Sequence, residues 1–154
     1  MSSFKQFTGA SDVQYSILAS ETLDKDYWLV TKAFTYYVDY NTKKLRVEIP
    51  LGFLTDGASV PKIFWNIIPP WGRYGQAAIV HDWLCENLYF LDENDQKVPI
   101  SRKECDLTLY EAMQVLGVPS STAKMIYGAV STYRMTIGTN KVNVEPGKIE
   151  MQEA

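Results

Sequence analysis

The sequence contains one histidine, His81, set in the apolar run "AAIVHDWLC" with Asp82 directly after it. An imidazole in that setting has two readings. It is a core histidine whose ring protons are satisfied by neighbours, or it is the acid–base centre of an active site. The second reading needs partners. A carboxylate on one ring nitrogen would fix the tautomer and raise the ring's basicity, leaving the other nitrogen to take a proton from water. A second carboxylate would hold a hard cation that polarises an ester or phosphate oxygen.

Candidates for each role exist along the chain. Asp106 is the expected orienting carboxylate, with His81 as the base; Asp82 and Asp56 are the expected ligands of a divalent cation such as calcium. Thr55, Arg102 and Cys85 complete the constellation as supporting residues. Each also has a plain structural reading. Asp56 in "TDGAS" suits an Asx turn with Gly57 at positive φ, and Arg102 with Asp106 suits an ordinary i,i+4 pair. Cys85 lies one helical turn from His81, which permits a Cys-His dyad, but both side chains would then enter the same packed stripe. One histidine excludes a multi-histidine metal site, and no G-x-S-x-G, P-loop or H-E-x-x-H occurs.

These residues need elements to hold them. Ala77, His81, Leu84, Cys85 and Leu88 recur at spacings of three and four, so a helix is expected from about Tyr74 to Tyr89 with His81 on its apolar face. After the polar stretch "LDENDQKVP", read as a loop, Ser101 to Glu104 forms a capping box with Ile100 and Cys105 as a hydrophobic staple. That helix should run from Arg102 to about Leu116 and stop at Gly117. A third helix is expected from Ser121 to Ile137, carrying Ala123, Ile126, Tyr127, Val130 and Arg134. Packing of the first two helices through their apolar stripes would bring Asp106 to the His81 ring.

Upstream, "DYWLVTKAFTYYVDY" and the alternating "LRVEIPLGF" read as a β-hairpin with one buried face, and Tyr15, Ile17 and Leu18 as a further short strand. "TDGASVPKIFWNIIPPWGRYG" is a structured, aromatic loop region expected to fold over the His81 helix. The fold class that follows is α+β: an N-terminal antiparallel hairpin or sheet packed on about three α-helices. Residues 1–138 form one domain and 139–154 a polar C-terminal arm.

Composition narrows the function classes. The chain has 154 residues, 46% of them hydrophobic and 21% charged, values of a folded protein rather than a disordered one. A net charge of −3 gives no strong nucleic-acid signal. No apolar run has transmembrane length, and the opening residues are not a secretory signal. Cys85 and Cys105 are too few for a disulfide scaffold and are read as reduced, half-buried thiols.

Two resemblances attach to these motifs. The ordered landmarks "TDGASVP", a tryptophan, "GRY", "HDWLC" and an Arg four residues before an Asp, across Leu51 to Gly138, resemble phage and prophage proteins of domain-of-unknown-function family 1353. The departure is Cys85, where the family pattern carries tyrosine. More locally, "WGRYG", "HDWLC" and Asp106 resemble the parts of phospholipase A2: a glycine-rich calcium loop, a His-Asp pair on a helix, and a supporting aspartate. That likeness would make His81 the base, Asp82 a calcium ligand and Asp106 the orienting group. The disulfides of secreted phospholipases are absent, and the loop lacks their fuller glycine pattern.

The first expectation is thus a small hydrolase with a His-Asp site and a divalent cation. The alternative is a non-enzymatic virion or assembly component in which the same polar cluster is structural. The partners implied are other phage virion proteins or a host protein, and the location is the virion or the host cytoplasm.

Overall fold

A computed structural model describes residues 6–9, 12–24, 26–39, 44–55, 75–137, 148 and 152. Within them the fold is α+β, with N-terminal antiparallel strands packed against helices, as the sequence implies. The strongest alternating segments form β3 (Phe34–Val38) and β4 (Leu45–Ile49), paired in antiparallel register. Phe34 opposes Ile49, Tyr36 opposes Val47 and Val38 opposes Leu45, and all six are buried on one face. This is the expected two-residue period at work.

The stretch preceding this hairpin belongs to a different sheet. β1 (Asp12–Tyr15), β2 (Trp28–Lys32) and β5 (Leu54–Thr55) form a three-stranded sheet in the order β1-β2-β5. Between β4 and β5, Gly52 adopts φ +91, a conformation costly for any residue with a Cβ. Its N–H donates to Val30 O at 2.8 Å, and Val30 N donates to Phe53 O at 2.9 Å, so the turn delivers a buried Phe53.

Ile17 and Leu18 are not in a strand. They open a short helix, α1 (Ile17–Leu23), because the Ser16 side chain accepts the Ala19 N–H and caps its start. Ala19 and Ser20 face inward while Ile17 and Leu18 remain exposed, so the described residues contain four helices rather than about three.

The helix bearing His81, α2, runs Gly75–Asn87 and ends before Tyr89. It was expected to bury one stripe, but Ala77, Ala78, Ile79, Val80, Trp83, Leu84 and Cys85 are all buried. Burial reaches most of its circumference because the helix is wrapped by neighbours. Those neighbours are β4 and β5 on the sheet side and α3 (Arg102–Val115) on the other, with α4 (Ser120–Ile137) packed on α3.

The "LDENDQKVP" loop is instead the tip of a hairpin. β6 (Tyr89–Leu91) and β7 (Lys97–Pro99) extend the second sheet to the order β3-β4-β6-β7. Asp92 Oδ1 accepts the N–H groups of Asn94 and Gln96 at 2.8 and 2.9 Å, which tightens the turn. Strands of three residues are too short to show a period, which hides them from a pattern reading. The start of α3 is as expected: Ser101 Oγ accepts the Glu104 N–H at 3.3 Å. Gly117, at φ +82, follows its end.

Candidate functional site

α2 and α3 pack so that His81 Nε2–H donates to Asp106 Oδ1 at 2.8 Å, across 25 residues of sequence. His81 is 6% exposed and Asp106 2%. Cys85, one turn along α2, places its sulfur 3.6 Å from Nε2 and 4.0 Å from Nδ1. A thiol–imidazole–carboxylate relay needs thiol and carboxylate on opposite ring nitrogens. Here the sulfur lies nearest the nitrogen that Asp106 already occupies, so the trio is not arranged as a relay.

Burial by itself lowers the pKa of an imidazole, but the polar contacts with Cys85 and Asp106 outweigh it and raise that of His81. The Cys85 thiol is itself held well above its ordinary range by a hydrogen bond with Cys105 and by burial. A thiol that keeps its proton carries no charge. The partner left to favour a proton on His81 is the Asp106 side chain, hydrogen-bonded to Nε2. Both cysteines are free and buried, more deeply than expected.

Asp82 belongs to a second cluster. Glu86, one turn further on α2, lies beside it, and Lys148 Nζ sits 3.8 Å from Asp82 Oδ2 and in direct contact with Glu86 Oε2. Burial and the Asp82 carboxylate raise Glu86 to about 8, against the opposing pull of the Lys148 ammonium. Lys148 is 3% exposed, and its ammonium lies 4.6 Å from the Phe53 ring centroid and 5.6 Å from that of Tyr27.

Of the remaining expected residues, Thr55 is fully buried at the end of β5, opposite Trp28, and Arg102 is buried in the first turn of α3. Asp56 and the loop expected to fold over His81 lie outside the described residues. Among the described residues, no group of three or more His, Cys, Asp or Glu side chains is placed to hold a metal ion. Glu86 and Lys148 went unnoticed in the sequence. The i,i+4 spacing of Asp82 and Glu86 was a usable signal; nothing local marked Lys148 as their partner.

A family model described as a protein of unknown function, DUF1353, matches residues 28–130, about two thirds of the chain. The chain belongs to the DUF1353 family. The match takes in the β2–β4 strands, α2 with His81, and α3 with Asp106, so the buried pair lies inside the family domain. The chain is also similar to the uncharacterized protein y4jT of Sinorhizobium fredii (strain NBRC 101917 / NGR234). The two are 35% identical over 103 residues, which cover 64% of this chain and 28% of that protein. This chain thus spans little more than a quarter of its relative's length. No solved structure matches it.

Proposed function

We propose that this DUF1353 chain acts as a non-enzymatic component of a phage or prophage programme, in which the His81–Asp106 pair fastens α2 to α3. The carrying observation is the sealing of the ring. His81 is almost wholly buried, and its nitrogens face Asp106 and Cys85. A general base must also shed its proton at working pH, and the hydrogen bond to Asp106 favours the protonated ring. The carboxylate expected to bind a cation, Asp82, faces the Lys148 ammonium instead.

The resemblance to phage and prophage proteins supports other virion proteins, or a host protein, as partners, and the virion or host cytoplasm as the place of action. No helix among the described residues is long and apolar enough to cross a membrane. The test is to follow His81→Asn through particle assembly while measuring its thermal unfolding. Co-purification of the wild type with particles, and a variant that loses stability and incorporation together, is the expected result. A wild-type chain absent from purified particles would count against the reading.

One observation favours a second reading, a small hydrolase with a His-Asp site and a divalent cation. Asp106 Oδ1 on Nε2 at 2.8 Å is the contact that an orienting carboxylate makes with a catalytic histidine. The same variant separates the two readings. Calcium-dependent ester or phosphodiester hydrolysis by the wild type, lost in a His81→Asn protein that remains folded, would establish the hydrolase and overturn the structural role.

A further inference from the structure

Lys148 and Gln152 stand four residues apart, and each makes a contact with the main body of the fold. Gln152 Oε1 accepts the Leu54 N–H at 2.8 Å on β5, an edge strand of the three-stranded sheet. Lys148 enters a recess between the Glu86 and Asp82 carboxylates and the faces of Phe53 and Tyr27. All four wall residues belong to the main body of the fold, on α2 or beside β2 and β5. A cavity of about 230 Å³, bordered by Phe53, Trp83, Glu86 and Gln152, lies next to it.

An ammonium is compact and strongly hydrated, so burying it requires replacements for its lost water. Oxygen acceptors for its N–H donors and aromatic faces for its charge supply them. The recess offers both. A guanidinium is broader and planar, and a quaternary ammonium has no N–H to give the carboxylates, so this set of groups favours a primary amine.

We propose that Tyr27, Phe53, Asp82 and Glu86 form a binding site for a primary ammonium group, the class presented by a lysine side chain, and that the Lys148 side chain is its exchangeable ligand in cis. The site is separate from the His81 ring, and the proposal holds whether or not His81 turns over a substrate.

The test is chemical rescue in the full chain. Lys148→Ala should lower the Tm, and n-butylammonium should restore most of the loss with a saturable, millimolar dependence. Tetramethylammonium or sodium chloride at equal ionic strength should not, and the wild type, its recess already filled, should show no saturable shift. Rescue should vanish when Glu86→Gln is added to Lys148→Ala. Equal rescue by tetramethylammonium, or none by any amine, overturns the proposal. Should Lys148→Ala fail to fold, the wild type decides by NMR. One lysine ¹⁵Nζ signal protected from exchange, with cross-peaks to the Phe53 and Tyr27 rings, is expected; lysine side chains that all exchange freely refute the site.

Discussion

At the scale of residues, the molecule places charged groups where apolar ones would be less costly, and each survives through its partner. Removing one member of a buried ion pair leaves the other uncompensated, which costs about 3–5 kcal/mol. Asp106→Ala should therefore lose stability on that scale in urea unfolding; a loss below about 1 kcal/mol would contradict a charged pair, being the size of an exposed one. The pair also sets a pH dependence. The pKa of His81 is raised above its ordinary 6.5 on folding, so the folded state binds its proton more tightly. Its contribution is complete below pH 6.5 and is lost as pH rises through the raised folded-state value. Glu86, raised from 4.5 to about 8, also favours the protonated folded state, so its ionisation removes stability across that lower window. Urea midpoints should fall steadily from pH 6 to 9.5, and His81→Asn should flatten the alkaline part.

At the scale of elements, local rules succeed where the stabilising group lies within a turn of the residue it serves. Ser101 caps α3 through Glu104 N, and Ser101→Ala should cost about 1 kcal/mol, read from the denaturation midpoint. The β3–β4 hairpin was legible because Phe34, Tyr36 and Val38 alternate with their neighbours and meet Ile49, Val47 and Leu45 in register. Other elements escaped. Ile17 and Leu18 carry strand-like side chains yet start α1, because one serine hydroxyl outweighs propensity there. At the tip of the β6–β7 hairpin, Asp95 adopts φ +61 and its carboxylate pairs with Arg46 of β4. That tie between β4 and the tip spans 49 residues and has no local signature.

At the scale of the whole molecule, one core cluster runs from Phe7 through both hairpins to Val130, and α2 lies at its centre. An element shielded on all sides opens only when the whole fold opens. Amides of Ile79 to Leu84 should therefore exchange at the global unfolding rate in native-state hydrogen exchange. α1, with exposed Ile17 and Leu18 and a separate small core of Ala19, Tyr27 and Leu54, should exchange sooner. Faster exchange in α2 than in α1 would contradict this order. Leu109, fully buried on α3, gives a second check: Leu109→Ala should cost about 3 kcal/mol by the usual cavity penalty.

The sequence by itself determined the α+β class, the ends of α3, the main hairpin, and a His-Asp arrangement spread over two helices. These depend on caps, turn residues and periods, whose physical range is a few positions along the chain. Only the tertiary structure decided what the arrangement is. It sealed His81 against Asp106, placed the Cys85 sulfur beside the same nitrogen, and set Lys148 against Glu86, 62 residues away. The reason is that desolvation and charge pairing belong to no single segment. They arise when packing removes water from groups that the chain holds far apart.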